Sequence, residues 1–341
     1  MKLHFGTLIK ILPMIVFLLI VGINLVLPLP ASVQSERRNR SRPKPTPPEG
    51  LPPRNANGSG EPRPSPTPCP GLRECTDEED KTPRQLHVEF PGPNGMTLHG
   101  HLYVPGVKTK AELAAVTMKF PAVIYNHGSE PNPGGVPSLA KLYIEHGFVF
   151  FAPDRHGQGL SKNAGPYHVD EQSKFKGLPI FGQMDVALHE LYNLDVIAAV
   201  TWFKKQPYVE PSHIAMTGLS FGGIQTLLTA EKDPGLRAYV PFAPAAESWG
   251  VSELRDRLVT AVRREKAPMF IIQAEGDYNL GPVTTLGDFL HQKGDPSKWK
   301  SKLYPRFGCT NGDAHVRFSL KCDGIAIWDQ DVLGFLNKWV K

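Results

Sequence analysis

From residue 86 onward, short apolar runs alternate with stretches whose apolar residues recur at helical spacing. Six apolar runs predict strands, at residues 122–126, 148–152, 214–219, 238–242, 269–274 and 302–304. The amphipathic stretches predict helices, at residues 138–146, 185–205, 221–231, 251–264, 284–293 and 326–340. Strands that are apolar throughout and separated by helices are typical of a parallel sheet covered on both faces. The pattern therefore predicts one α/β domain over residues 86–341.

A different pattern precedes these runs. Residues 86–90 and 96–104 alternate apolar and polar side chains on either side of Pro-Gly-Pro-Asn-Gly. Alternation with a period of two, interrupted by turn residues, is the signature of an antiparallel hairpin. We expect this hairpin to extend one edge of the sheet.

The first 85 residues differ from the rest in composition. Of the 34 prolines in the 341-residue chain, 15 lie before residue 86. Such a density of proline excludes packed helices and central strands and favours an extended polyproline conformation. Residues 32–85 are therefore predicted to be a disordered linker, within which Asn39 and Asn57 match glycosylation acceptors.

An apolar run at residues 11–27 follows Lys2 and Lys10 and indicates an export signal. Residues 1–31 are predicted to be a signal peptide or an N-terminal membrane anchor. The second alternative stays open because no small-x-small cleavage site follows and the run is almost long enough to span a bilayer. We expect an exported protein, secreted, periplasmic or at the cell surface, and in the anchored case residues 11–27 would be its membrane tether.

The distribution of charge along the chain bears on the kind of partner that the protein can bind. The net charge is +5, and +4 of it lies in the first 85 residues, which hold 12 Lys and Arg against 8 Asp and Glu. The α/β domain thus has no basic excess, which argues against a nucleic-acid partner.

The four cysteines form two local pairs, Cys69 with Cys75 and Cys309 with Cys322. An even, paired count fits an exported protein with disulfides.

The strongest catalytic signal is Gly218-Leu219-Ser220-Phe221-Gly222. This G-x-S-x-G pattern follows a predicted strand and opens a predicted helix, which is the setting of a nucleophile elbow. Ser220 would lie on a strained turn with its hydroxyl exposed above the sheet. The helix N-terminus behind it favours negative charge at the site.

A serine hydroxyl needs a base to become a nucleophile, and a hydrolase of this type carries the acid and the histidine after the serine. Of the two later histidines, His291 lies in a predicted helix and His315 in the loop before the final helix. We predict His315 as the base and Asp277, at the end of a buried strand, as the acid. Glu275 lies too close to that strand, and Glu247 is the alternative acid.

Acyl transfer also needs backbone N–H groups directed at the developing oxyanion. We expect one from Phe221, directly after the nucleophile. The other should come from the loop after the strand at 122–126, where Gly128 permits a tight turn and Ser129 or Glu130 offers the N–H.

The remaining polar motifs predict no further chemistry. His127 precedes the nucleophile, so we expect a structural role for it. The Gly-rich loop at 154–161 has no following helix and Lys, so it is interpreted as a structural turn. His189-Glu190 lacks the second His of a metalloprotease helix. We predict neither a metal nor a cofactor.

The chain from residue 86 on resembles the α/β-hydrolase superfamily, in particular its dienelactone-hydrolase-like branch and the prolyl-oligopeptidase-like serine hydrolases. The resemblance implies an eight-stranded, mostly parallel sheet and cofactor-free hydrolysis by a triad of Ser220, Asp277 and His315. The nucleophile is Ser where the dienelactone enzymes have Cys, and a propeller domain is missing. The motifs that carry the resemblance are Asn126-His127-Gly128, Asp154-Arg155-His156-Gly157-Gln158-Gly159, Gly218 to Gly222, Gln273-Ala274-Glu275-Gly276-Asp277 and the His315 loop.

The sequence thus predicts an exported serine hydrolase that cleaves a small-molecule carboxylic ester through an acyl-enzyme. Two alternatives stay open: a peptidase or amidase with the same triad, and a non-catalytic binding protein of the same fold held at the envelope. The segments 165–181 and 245–258 are expected to form a cap that sets specificity. We also hypothesise that a Cys309–Cys322 disulfide fixes the loop of His315.

Overall fold

The structure is a computed structural model that describes residues 68–341. The predicted signal or anchor at residues 1–31, the linker up to residue 67 and the acceptors Asn39 and Asn57 lie outside the described residues. Within residues 68–341, no helix has both the length and the apolar character needed to cross a membrane.

An eight-stranded sheet in the order β1-β2-β4-β3-β5-β6-β7-β8 forms the centre of the fold. β2 runs antiparallel to β1 and to β4, and the other neighbours pair in parallel. The predicted hairpin and mostly parallel α/β sheet are therefore confirmed. The strands are β1 Leu86–Pro91, β2 Thr97–Tyr103, β3 Phe120–Asn126, β4 Val149–Asp154, β5 Val209–Leu219, β6 Ala238–Phe242, β7 Met269–Ala274 and β8 Trp299–Tyr304.

Helices fill the connections, and two of them start with π-helical turns, Pro282–Leu286 and Asp313–Arg317. The helix predicted at 284–293 is thus a π turn followed by a single short α-helix. The helices are α1 Asp77–Asp80, α2 Lys110–Ala114, α3 Pro137–Glu145, α4 His168–Ser173, α5 Phe181–Phe203, α6 Phe221–Lys232, α7 Ser252–Arg264, α8 Gly287–His291, α9 Phe318–Leu320 and α10 Cys322–Trp339.

Two apolar clusters cover the two faces of the sheet. Successive side chains of a strand point to opposite faces, so Ile124 packs in one cluster and Val123 and Tyr125 pack in the other. The first cluster contains residues of α5, α6, α7 and α8, and the second contains residues of α3 and α10. This three-layer arrangement leaves the carboxyl ends of the strands and their loops to carry chemistry.

Residues 68–85, which the proline pattern assigns to the linker, are held on the domain. Leu72 packs against the second apolar cluster. Thr76 and Glu79 form a reciprocal capping box at α1, each side chain bonding the other residue's backbone N–H. We call residues 69–75 the N-terminal strap, because both cysteines in it are bonded to distant parts of the chain.

The disulfide pairing differs from the predicted local pairs. Cys69 is bonded to Cys309 and Cys75 to Cys322, across sequence separations of 240 and 247 residues. A disulfide needs its two Cα atoms within about 7 Å, and the fold supplies that distance whatever the spacing in sequence. The local pairs, including the hypothesised Cys309–Cys322 bond, are therefore wrong. Closing such long loops restricts the unfolded chain strongly.

We expect Glu265 to make stability depend on pH. This carboxyl is only 4% exposed at the end of α7, and burial raises its pKa from 4.5 to about 7. Between these values the folded state binds more protons than the unfolded state, so stability falls as pH rises. Glu265→Gln should remove up to about 3 kcal/mol of that fall. Urea unfolding at pH 4.5 and pH 8 would measure it.

Glu145→Gln, on the exposed end of α3, is the matched control and should leave the pH dependence of the unfolding free energy unchanged. An equal pH dependence in wild type and Glu265→Gln would contradict this role of Glu265.

Candidate active site

Ser220 occupies the junction between β5 and α6. Its backbone has φ of 59° and ψ of −116°, in a region that residues other than glycine rarely adopt. The Ser220 N–H donates to the carbonyl of Phe242 at the end of β6, at 3.1 Å. This geometry is that of the sharp strand–turn–helix elbow predicted from the motif.

Glycines on both sides of Ser220 allow three segments of backbone to meet. A Cβ atom at Gly218 would overlap the carbonyl of Gly222, and one at Gly222 would overlap the carbonyls of Asn126 and His127. The first turn of α6 thus lies directly against the end of β3. Glycine is required at these two positions because the neighbouring atoms belong to backbone and cannot move aside.

His315 and Asp277 form a buried pair. His315 lies in the π-helical turn after β8 and is 3% exposed, while Asp277 lies in the turn after β7 and is 7% exposed. Nδ1 of His315 is 2.9 Å from Oδ1 and 3.0 Å from Oδ2 of Asp277. Nε2 of His315 is buried and has no hydrogen-bond partner among the described residues. An imidazole held at Nδ1 with Nε2 left open is the arrangement that a general base requires.

Ser220 and His315 both lie among the described residues, and no hydrogen bond joins them. β5 brings the hydroxyl and the loop after β8 brings the imidazole to the same edge of the sheet, without direct pairing. Such bonds are often long in unliganded hydrolases and shorten when substrate binds.

Gln273 is a site residue that sequence analysis missed. Its Nε2 donates to Oδ2 of Asp277 at 2.9 Å and to the carbonyl of Asn279 at 2.8 Å. The N–H of Tyr278 donates to Oδ1 of Asp277 at 2.6 Å. These contacts fix the carboxylate that faces His315. The signal in the sequence was that Gln273 is the single polar residue in the otherwise apolar strand β7.

The other candidates for acid and base do not touch this pair. Glu275 is exposed after β7, and His291 is exposed at the end of α8. Glu247 is exposed, and burial of the Tyr278 hydroxyl together with the nearby Glu247 carboxylate raises the pKa of the tyrosine. Among the acids weighed from sequence, Asp277 alone contacts His315.

The predicted oxyanion donors lie around the elbow. The N–H of Phe221 belongs to the first turn of α6, where backbone N–H groups have no partner inside the helix. Gly128 follows β3, and the oxygen of Leu219 lies 3.7 Å from the position of a Cβ on Gly128. The hydroxyl of Tyr167, in the predicted cap, bonds the carbonyl of Ser129. The loop of Gly128 and Ser129 therefore borders the elbow and contacts the cap.

The strap contacts the loop that carries His315 at both of the loop's ends. Cys309 and Cys322 lie on either side of His315, and each is bonded to the strap. Between them, the guanidinium of Arg317 donates to the carbonyl of Arg73 at 2.9 Å and pairs with Asp323 at 2.7 Å. The loop is thus fixed by the strap and not by a bond between its own two cysteines.

Comparisons with known proteins agree with this fold. Residues 128–288 match the model of the dienelactone hydrolase family. Polyketide transferase grgF of Penicillium is 30% identical over 53% of this chain and 52% of its own, and thiohydrolase aneE of Aspergillus aculeatus is 22% identical over 64% and 58%. An esterase of Pyrococcus furiosus superposes with a TM-score of 0.53 at 16% identity, covering 79% of this chain and 96% of its own.

The order and direction of the strands and the superposition on the esterase show that the chain has the α/β-hydrolase fold. Residues 128–288 are similar to the dienelactone hydrolase family, as the motifs predict. The chain spans about half the length of the curated relatives that it matches. The comparisons support the prediction of an enzyme of the hydrolase class.

We expect the long-range disulfides in protein purified from an oxidising compartment. Trypsin cleaves after Arg73, Arg317 and Lys321 and so separates the four cysteines. Non-reduced peptide mapping should link Cys69 to Cys309 and Cys75 to Cys322. Reduction should then increase amide hydrogen exchange in residues 309–322 more than in β5, which the sheet holds on both sides.

Peptides that link Cys309 directly to Cys322 would contradict this pairing. An exchange pattern around His315 that reduction leaves unchanged would contradict the role of the strap.

Proposed function

We propose that the protein is a serine hydrolase that cleaves carboxylic esters through an acyl-enzyme on Ser220. The observation that carries the proposal is the His315–Asp277 pair, with Nε2 of His315 open, at the same sheet edge as a strained serine elbow. The similarity of residues 128–288 to the dienelactone hydrolase family adds to it, because that family is one of hydrolases.

In the proposed reaction, Oγ of Ser220 attacks the ester carbonyl while Nε2 of His315 takes its proton. The carboxylate of Asp277 stabilises the imidazolium. The N–H groups of Phe221 and of Gly128 or Ser129 bind the oxyanion. His315 then returns the proton to the departing alcohol. A water molecule, deprotonated by the same imidazole, then attacks the acyl carbon, and His315 returns that proton to Oγ of Ser220 as the acid leaves.

The ester is the substrate class that we favour over an amide. Relatives named as a polyketide transferase and a thiohydrolase carry no mention of an amide or peptide substrate, which supports this preference. An amide leaving group is poorer and must be protonated as it departs, which makes greater demands on the base. The ordered acid–base pair argues against a purely binding role.

We also propose that the protein is exported. Two disulfides that tie the strap to the domain persist in oxidising compartments and are rare in the cytosol. The apolar run at residues 11–27 would direct export and, if uncleaved, would tether the enzyme to the membrane.

Ser220→Ala should abolish labelling by a fluorophosphonate and turnover of short-chain nitrophenyl esters. The reason is that both require the Ser220 hydroxyl as nucleophile. Gel fluorescence and initial rates would measure the two losses. Ser212→Ala, on an exposed serine in β5, should leave both unchanged. Labelling that persists in Ser220→Ala would refute the assignment of Ser220 as nucleophile. Labelling of the wild type without ester turnover would favour the peptidase alternative.

Asp277→Asn should lower kcat by about ten thousandfold, because an amide at this position favours the wrong imidazole tautomer. Glu247→Gln, which changes the rejected acid in the same way, should alter kcat less than tenfold by comparison. Steady-state kinetics on a nitrophenyl ester would compare the two. The reverse order of effects would assign the acid to Glu247.

A further inference from the structure

Arg155 is a buried cation without an acidic partner close by. It follows β4 and is 2% exposed, and none of the described carboxylates lies within 4.0 Å of its guanidinium. Buried arginines are usually paired, since an unpaired buried charge is costly. Burial lowers the pKa of Arg155 to about 10, so it keeps its charge at neutral pH. The neighbouring His127 is uncharged, because burial and the guanidinium hold its pKa well below the usual range.

The guanidinium of Arg155 binds the back of the oxyanion loop. Nη1 donates to the carbonyl of His127 at 2.9 Å, and Nη2 donates to the carbonyl of Gly128 at 2.6 Å. A trans peptide is planar, so its C=O and N–H point in opposite directions. Because these two carbonyls face Arg155, the N–H groups of Gly128 and Ser129 face away from it. Those are the N–H groups that the proposed function assigns to the oxyanion.

Two other side chains hold the next carbonyls of the same loop. The hydroxyl of Tyr167 bonds the carbonyl of Ser129, and Nε2 of Gln158 donates to the carbonyl of Glu130 at 2.7 Å. The loop therefore has a side-chain donor on each successive carbonyl from His127 to Glu130. The orientation of its N–H groups is set from behind, before substrate binds.

Arg155 also borders the second proposed donor. Its guanidinium carbon lies 4.5 Å from the centre of the Phe221 ring, and Phe221 begins α6 directly after Ser220. A fixed positive charge in a buried setting stabilises negative charge that forms nearby more than it would in water. Hydrogen bonding at a carbonyl also strengthens the N–H of the same peptide as a donor.

We propose that Arg155 is a positioning residue for the oxyanion hole, which orients and polarises the N–H groups of Gly128 and Ser129 without touching substrate. The proposal rests on the proposed function. It assigns a catalytic contribution to the loop at 154–161, which sequence patterns indicate only as a structural turn.

The test compares Arg155→Lys and Arg155→Met with wild type on a nitrophenyl ester and on a trifluoromethyl ketone, which mimics the tetrahedral intermediate. Arg155→Met should lower kcat about a hundredfold and change KM less than threefold. It should weaken binding of the ketone by the same factor by which it lowers kcat/KM. Arg155→Lys keeps the charge but not the two-pronged contact, so it should lie in between. Tyr167→Phe, on a partly exposed side chain, should cause a smaller loss of the same kind and does not depend on folding of the Arg155 variants.

Arg257→Met is the matched control, since Arg257 pairs with Glu190 and Glu231 between helices. It should lower stability without changing kcat or ketone affinity. The proposal is overturned if Tyr167→Phe and the Arg155 variants that fold all keep the kcat and the ketone affinity of the wild type. It is also overturned if these variants change only stability, as Arg257→Met does. These outcomes differ from failure of the proposed function, in which Ser220→Ala would retain turnover.

Discussion

The contact between the first turn of α6 and the end of β3 is the constraint on which the rest of the site depends. Gly222 lies against the carbonyls of Asn126 and His127, and Gly218 lies against Gly222. A side chain at either position would push the first turn of α6 away from the end of β3 and from the loop of Gly128 and Ser129 that follows it. Because backbone meets backbone there, the proposed oxyanion donors, the N–H groups of Phe221 and of that loop, are placed by the sheet.

The histidine is held by a different means. Ser220 directly follows β5 and Asp277 lies in the turn after β7, so the sheet positions both. His315 lies farther from its strand, in the long connection between β8 and α10, where Ala314 packs in the second apolar cluster. The strap adds a further constraint on this connection through two disulfides and the Arg317 contacts. The proposed role of His315 as general base requires a precisely placed imidazole, and the strap, which precedes the α/β domain in sequence, contributes to that placement.

Features with a local cause were predictable from sequence, and features caused by the fold were not. Apolar runs and turn residues predicted the hairpin and strands, and the strand–turn–helix setting of Ser220 predicted the elbow geometry. The cysteine pairing failed, because spacing in sequence carries no information about distances across 240 residues. Gln273 was missed because its partner lies in a turn whose path only the structure shows. Arg155 looked like part of a turn because the carbonyls that it binds belong to a different loop.

Arg155 and Asp277 together suggest how charge is distributed in the proposed reaction. Attack by Ser220 creates negative charge at the oxyanion and positive charge on His315. The negative charge forms in front of peptides whose carbonyls are bonded to the buried guanidinium of Arg155. The positive charge forms on an imidazole bonded to the buried carboxylate of Asp277, which Gln273 and the Tyr278 N–H hold in place. Each developing charge therefore meets a fixed charge of opposite sign that was oriented during folding, and little reorganisation is left for the reaction itself.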